Sequence, residues 1–146
     1  NGEFKDALSY LNDMNDENTR YLRLVCLIGL GEYKQARAEG AWAKENATDT
    51  YYDVVSMYVT ALKELGDFEE ASKTFFKLLK RNPDYYKAYL GIAMSFDKMG
   101  IYSSAIRYYK KFLNLKKFSE DALFARQRIK ELKEYLPKRK RTLTAI

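Results

Sequence analysis

The 146-residue sequence contains no histidine, a single cysteine and two prolines. Without histidine, the chain lacks both the commonest general base and the commonest metal ligand of proteins. The lone Cys26 cannot form a disulfide framework, and its place in the apolar run 24–28 predicts a small buried hydrophobic residue. No stretch approaches the 18 apolar residues of a membrane-spanning helix or contains a secretory signal. The compartment is therefore unknown and cytoplasmic by default. We also expect the sequence to be a fragment of a longer array or to have lost an N-terminal helix to processing.

Sequence signatures of catalysis are also missing. There is no glycine-rich phosphate loop, nucleophile elbow, zinc-ligand spacing or calcium loop. The acidic pairs 69–70 and 120–121 lie where helices are expected to begin, and the positive end of the helix dipole explains them better than acid/base chemistry. The sequence predicts a protein that is not an enzyme and that requires no cofactor or metal.

The composition favours one all-helical domain. Hydrophobic residues make up 47% and charged residues 32%, a globular balance, and Ala, Leu, Lys, Glu and Tyr outweigh the residues typical of strands. Charge is unevenly distributed, because residues 107–146 hold 13 Lys and Arg against 4 Asp and Glu. The remaining 106 residues hold 13 basic and 16 acidic side chains, so the excess positive charge belongs to the C-terminal third.

A repeat with a period of 34 residues organises the sequence. The hexapeptide GDFEEA at 66–71 recurs as GIYSSA at 100–105, and related copies begin at Gly2 and Gly31. A period of this size indicates an array of helix pairs, each of which buries its apolar stripe only against its neighbours.

Apolar spacing places helices within this repeat. Two predicted first helices, 51–65 and 85–99, carry apolar residues at i, i+3, i+4 and i+7, as core-facing stripes do. Asp16 or Asn18 is expected to cap an earlier helix, and second helices are predicted over 68–81 and 102–115. Gly40 leaves a gap in the second helix of the first full repeat, which Trp42 is predicted to fill; the alternative is that Trp42 anchors a partner.

The last predicted helix, 119–136, has one apolar stripe and a charged opposite face, as a terminal capping helix requires. The stripe comprises Ala122, Ala125, Ile129, Leu132 and Leu136, and the charged face Arg126, Arg128, Lys130, Lys133 and Glu134.

Residues 17–118 resemble tetratricopeptide repeats (TPRs), a 34-residue helix-turn-helix family. The matching positions are Val55, Tyr58, Val59, Leu62, Gly66, Phe68, Ala71, Phe75, Leu78 and Pro83, then Tyr89, Ile92, Ala93, Phe96, Gly100, Tyr102, Ala105, Tyr109 and Phe112. The first full repeat departs from the pattern, since Arg20 and Arg23 stand at expected apolar positions.

The resemblance implies an all-α, right-handed α-solenoid of antiparallel helix pairs whose first helices line a concave groove. We expect a single domain over 1–136 and a basic tail over 137–146. Within the domain we expect the second helix of a truncated repeat (1–15), repeats at 17–51, 52–85 and 86–118, and the capping helix (119–136).

The function implied is a non-catalytic interaction module or scaffold that holds a peptide or helix of a partner protein in this groove. The expected groove residues are Tyr21, Val25, Asp53, Ser56, Thr60, Lys63, Lys87, Leu90, Met94 and Asp97. Lys87 fits one position of the carboxylate clamp found in chaperone-binding members of the family, but Met57 and Gly91 occupy polar clamp positions, which argues against that ligand. A merely solvated inner face is the alternative interpretation.

The basic end of the chain suggests a second class of function. Lys138, Arg139, Lys140 and Arg141 form a basic tail. Together with the rest of the basic C-terminal third, it could attract nucleic acid or an anionic membrane surface electrostatically, although a protein partner is the stronger expectation. The tail could equally be a solvated end, and the ends of the solenoid could mediate self-association.

Overall fold

A computed structural model describes residues 2–137 of the chain, and within this range all regular structure is helical. The helices are α1 (Gly2–Leu11), α2 (Glu17–Gly29), α3 (Tyr33–Asn46), α4 (Tyr51–Glu64), α5 (Phe68–Arg81), α6 (Tyr86–Lys98), α7 (Tyr102–Leu115) and α8 (Glu120–Lys133). The predicted all-α class is confirmed. The last helix ends three residues earlier than expected, at Lys133. Over the described range, no helix combines the length and the hydropathy that a bilayer-spanning segment needs.

The chain divides into two compact units, the first ending at Thr74 and the second beginning at Phe75. In the first unit, α2 packs against α1, α3 and α4, and α3 packs against α4. In the second unit, α7 packs against both α6 and α8. The single domain and its repeat boundaries stay a prediction.

Glycines end three of the helices with the same turn. Gly31, Gly66 and Gly100 have φ of 73°, 76° and 77°, a left-handed conformation that side chains with a Cβ disfavour. At Gly66, the turn is closed by two backbone hydrogen bonds, from the amide of Asp67 to the carbonyl of Leu62 (2.8 Å) and from Gly66 to Lys63 (3.1 Å). This is the Schellman arrangement, which satisfies carbonyls at a helix end. The repeated glycine signature is therefore a helix stop.

The predicted stripe of α4 is buried throughout, and Ile92 and Ala93 of the α6 stripe are also buried. Cys26 is buried, as expected. The apolar stripe of α8 joins the core of the second unit, with Ala122, Ala125, Ile129 and Leu132 buried and Leu136 packed partly exposed against them. Ser119 accepts a hydrogen bond from the amide of Ala122 at 3.0 Å and so caps α8.

The two arginines at expected apolar positions of the first repeat both form ion pairs with a single carboxylate. Arg20 Nη1 and Arg23 Nη1 lie 3.2 Å and 3.0 Å from Glu39 Oε1 on α3. Arg23 also donates to the carbonyls of Leu11 and Met14, at the junction of α1 and α2. These contacts explain how the first repeat departs from the apolar pattern and still packs.

Tyr58 occupies the space beside Gly40. A Cβ built on Gly40 would lie 2.9 Å from Cδ2 and 3.0 Å from Cβ of Tyr58, so α3 and α4 approach closely at this point. The expectation that Trp42 fills the gap is wrong, since Trp42 is 48% exposed. The physical reason is that the missing side chain of Gly40 faces Tyr58 of α4, whereas the Trp42 ring stacks against Arg20 of α2.

Candidate functional site

The groove residues predicted in the first unit lie on α2 and α4. Asp53, Ser56 and Lys63 are exposed. Tyr21, Val25 and Thr60 are half-buried. Tyr21 packs against the core of the first unit. The hydroxyl of Thr60 donates to the carbonyl of Ser56 at 2.9 Å, which directs it back onto its own helix. Polar contacts with a ligand are therefore available chiefly from the exposed residues of α4.

The groove residues predicted in the second unit all lie on α6. Lys87 is exposed, whereas Leu90 and Met94 are half-buried and pack against the core of this unit. Asp97, one turn beyond Met94, is also half-buried. Helix α6 therefore offers apolar side chains at its middle and charge towards both ends.

Met94 and Asp97 line one cleft of about 460 Å³ within the second unit. The other lining residues are Lys98, Tyr109, Phe124, Arg128 and Glu131. Phe124 of α8 is 45% exposed, and its ring meets that of Tyr109 edge to face, with 6.1 Å between ring centroids. Met94, Tyr109 and Phe124 thus give the cleft an apolar surface with a charged rim.

A partly buried network of side chains joins the three helices around this cleft. Arg128 of α8 makes a bidentate pair with Asp97, with Nε 2.7 Å from Oδ2 and Nη2 2.8 Å from Oδ1. The hydroxyl of Tyr109 on α7 donates to Asp97 Oδ2 at 2.9 Å. Arg128 Nη1 also lies 2.9 Å from Glu131 Oε2. The network fastens α8 to α6 and α7.

The pKa values of the three groups follow from these contacts. Burial alone raises the pKa of the Asp97 carboxyl, but hydrogen bonds from Arg128 and Tyr109 outweigh burial and hold it below its usual value. Burial, with the hydrogen bond to Asp97, raises the pKa of Tyr109 well above its usual range. The hydrogen bond to Asp97 raises the pKa of Arg128 further. Asp97 and Arg128 are both charged at neutral pH, and their charged groups are paired with each other.

Arg128 was expected on the charged outer face of the last helix, and that expectation is wrong. Its guanidinium turns inward because Asp97 offers a carboxylate matched to the bidentate fork. Sequence reasoning also missed Phe124 and Glu131 as cleft residues. Their spacing of i, i+4 and i+7 with Arg128 was the available signal, since it places all three on one side of the helix.

A smaller pocket of about 190 Å³ lies in the first unit between the ends of α2, α3 and α4. The guanidinium of Arg20 stacks 3.6 Å above the ring of Trp42, which forms one wall. Glu17, also in the lining, accepts hydrogen bonds from the amides and hydroxyls of Thr48 and Thr50. Hydrogen bonds from Thr50, then from Thr48, lower the pKa of Glu17 to about 2. The anchoring role of Trp42 stays a prediction.

The predicted basic tail, Lys138 to Arg141, lies outside the described residues. Between residues 2 and 137, no three acidic or cysteine side chains cluster closely enough to hold a metal ion.

Comparison with known proteins identifies the repeats. Tetratricopeptide repeat models match residues 50–85 and 87–115. No curated protein sequence matches the chain.

Three solved structures illustrate the structural similarity. MamA 41-end from Desulfovibrio magneticus RS-1 is 16% identical, with 91% of this chain and 85% of that chain covered and a TM-score of 0.70. YrrB, described as a TPR protein with an unusual peptide-binding site, is 17% identical over 86% of this chain and 67% of that chain, with a TM-score of 0.75. A tetratricopeptide repeat protein from Parabacteroides merdae ATCC 43184 is 17% identical over 92% of this chain and 55% of that chain, with a TM-score of 0.78.

At such low identity, likeness to solved structures shows the fold alone. The repeat matches cover the two stretches in which the 34-residue pattern is best preserved, and the helix pairs and turn glycines lie where that pattern requires them. Residues 50–85 and 87–115 are therefore tetratricopeptide repeats, and the chain has the helical-repeat fold of the solved structures that it resembles.

Proposed function

We propose that this chain is a non-catalytic interaction module that holds a segment of a partner protein against its first helices. The observation that carries the proposal is the cleft of the second unit, which combines an apolar surface with a charged rim. Clefts of this composition are typical of ligand sites, because the apolar surface supplies affinity and the few polar groups supply orientation. Protein binding is also the general role of the TPR family.

The lining of the cleft indicates which side chains a partner contributes. Met94 is flexible and polarisable, so it adapts to different apolar groups, and Phe124 presents a partly exposed ring in the same cleft. An apolar side chain inserted between them removes apolar surface from water on both sides. Lys98 is exposed at the rim, where it is suited to pair with an acidic residue next to the partner's inserted apolar side chain. The favoured ligand is thus a peptide segment with an apolar anchor and a nearby carboxylate.

The structural relatives support a peptide as the ligand class. YrrB is described as having a peptide-binding site. In the first unit, taken by itself, the proposed binding residues are those predicted on α4: Asp53, Ser56, Thr60 and Lys63.

Selection from a random 12-residue peptide library against the 146-residue chain provides the test. We expect the selected peptides to be rich in an apolar residue beside Asp or Glu. In fluorescence anisotropy with one labelled peptide, Met94→Glu and Phe124→Ala should each weaken binding at least tenfold. Leu123→Ala is the matched control, because Leu123 is the neighbour of Phe124, is 67% exposed and does not line the cleft.

Two outcomes contradict the proposal. If Leu123→Ala weakens binding as much as Phe124→Ala does, the ligand does not occupy the cleft. If the double change Thr60→Glu and Met94→Glu leaves peptide binding intact, the groove assignment is wrong in both units. Self-association is a separate prediction, and light scattering that reports a monomer at all concentrations would remove it.

A further inference from the structure

The second unit has a large excess of positive charge. Residues 75–137 contain 14 Lys and Arg and 6 Asp and Glu, whereas residues 2–74 contain 8 and 14. The segment 98–119 holds six Lys and Arg and no acidic residue. Such a concentration of one sign of charge attracts polyanions, and its position decides which kind of polyanion fits.

Helix α7 carries much of this charge on one side. Its exposed positions include Ser103, Arg107, Lys110, Lys111 and Asn114, which recur at the spacing of a single helical face. The opposite side of the helix is buried, with Ala105, Ile106, Tyr109 and Phe112 in the core of the unit. Rotation of the helix is therefore fixed by the core, which holds the basic side outward.

Helix α5 brings a second set of cations to the same place. The ring of Phe76 meets the ring of Tyr108 edge to face, with centroids 5.5 Å apart, so the C-terminal half of α5 lies beside α7 within this unit. Lys77 follows Phe76 directly, and Lys80 lies one turn further on the same side of α5; both are exposed. The part of α5 that carries these two lysines therefore lies beside α7.

Tyr108 lies among these cations. The guanidinium carbon of Arg107 is 5.3 Å from the centroid of the Tyr108 ring, and Lys111 Nζ is 5.0 Å from it. Cation–π attraction of this kind holds long side chains close to the surface. Two of the cations are thus partly ordered before a ligand arrives, which reduces the side-chain entropy lost on binding.

We propose that this basic face, defined by Lys77, Lys80, Arg107, Lys110 and Lys111, binds the phosphodiester backbone of nucleic acid without sequence preference. A row of backbone phosphates suits cations that are spread over a surface, because each lysine or arginine can contact its own phosphate. Such contacts do not depend on the identity of the base. The Tyr108 ring already stacks on Phe96, with centroids 5.7 Å apart, so it does not serve as a platform for a base.

An anionic membrane is the less favoured polyanion. Helices that lie on membranes insert an apolar face beneath their basic one, whereas the apolar face of α7 is already buried in the protein core. The exposed large hydrophobic residues of this unit lie at the ends of α7 and on the segments that follow it, at Ile101, Leu115, Phe118, Leu123, Phe124 and Tyr135. None of them belongs to the basic face.

The test uses fluorescence anisotropy of a labelled 20-base-pair DNA of mixed sequence and the 146-residue chain, between 50 and 200 mM KCl. We expect a dissociation constant of about 10⁻⁴ to 10⁻⁶ M near physiological salt. Five phosphate contacts predict a slope of about −4.5 in a plot of log K against log salt concentration. A matched duplex RNA should bind similarly, because the proposed contacts are to phosphates.

The decisive variant is Lys110→Glu with Lys111→Glu, and the matched control is Lys130→Glu with Lys133→Glu. Both double variants change the net charge equally at exposed positions, but the control lies on α8, outside the basic face. The first should weaken DNA binding more than tenfold and reduce the slope by about 2, whereas the control should keep the slope of the unaltered chain. Circular dichroism should show unchanged helicity in both.

Three results would overturn the proposal. One is an equal loss of affinity and slope in both double variants, which would indicate only a general effect of net charge. Another is full loss of binding on replacing Lys138 to Arg141 by serine while the α7 variant binds normally, which would assign the interaction to the tail. The third is binding to vesicles of phosphatidylcholine and phosphatidylserine with no binding to DNA or RNA, which would identify a membrane surface as the ligand.

Discussion

The pair formed by Asp97 and Arg128 should contribute measurably to the stability of the second unit. Exposed ion pairs contribute about 0–1 kcal/mol, and removal of one partner from a fully buried pair costs about 3–5 kcal/mol. The Asp97 side chain is 11% exposed and that of Arg128 is 29% exposed, so this pair lies between the two limits. We therefore expect Asp97→Asn and Arg128→Gln each to lower the free energy of unfolding by about 1–3 kcal/mol.

A double-mutant cycle isolates the interaction from the effects of the single changes. Urea unfolding of the original chain, both single variants and the double variant, followed by circular dichroism, should give a coupling free energy of about 1–2 kcal/mol at pH 7. Hydrogen exchange should show faster opening of α8 in the single variants, because the pair fastens that helix to α6. If the loss of unfolding free energy in the double variant equals the sum of the losses in the two single variants, the coupling is zero and the reasoning is refuted.

The pH dependence of the same variants gives an independent check. The pKa of Asp97 is lowered in the folded state, so its contribution to stability is present above its unfolded pKa of about 3.9 and is lost as the pH falls through the folded value. The stability difference between the original chain and Asp97→Asn should therefore be constant from pH 5 to 7 and should narrow below pH 4. A difference that persists undiminished at the lowest pH would contradict the assigned ion pair.

Three further predictions concern other parts of the fold. Gly40→Ala should lower the melting temperature, because the new Cβ would lie 2.9 Å from Tyr58 Cδ2 and overpack α3 against α4. Overpacking costs about 1–3 kcal/mol, which exceeds the gain of about 1 kcal/mol in helix propensity. A raised melting temperature would show that Tyr58 moves aside freely. Glu17→Gln should destabilise the chain at pH 7 and have less effect as the pH falls from about 4.5 towards 2, because hydrogen bonds from Thr50 and Thr48 lower the Glu17 pKa to about 2. Thermal unfolding at several pH values measures this, and an effect independent of pH would contradict it. Cys26 should react slowly with an iodoacetamide reagent in the folded chain and rapidly in urea, because it is buried and burial raises the pKa of its thiol. Equal reaction rates in the folded and unfolded chain would place Cys26 at the surface.

Part of the candidate site was predictable and part was not. Met94 and Asp97 were expected in a groove from their position beside the α6 stripe, and both line the cleft. Arg128 was not expected there, because it was assigned to the charged face of α8, and Phe124 was assigned to neither face. A long side chain can reach several partners, and only the placement of α8 against α6 brings Arg128 to Asp97.

Features that depend on neighbouring residues along the chain could be predicted from the sequence. Helix ends at Gly31, Gly66 and Gly100 follow from a left-handed turn that favours glycine, and the buried stripes follow from apolar residues that recur once per helical turn. Contacts between distant residues, such as those of Arg23 with Glu39 and of Tyr58 with Gly40, became visible only in the folded structure. Local conformation depends on steric and hydrogen-bonding rules within a few residues, whereas these pairings depend on the distance and rotation between helices, which the sequence pattern does not specify.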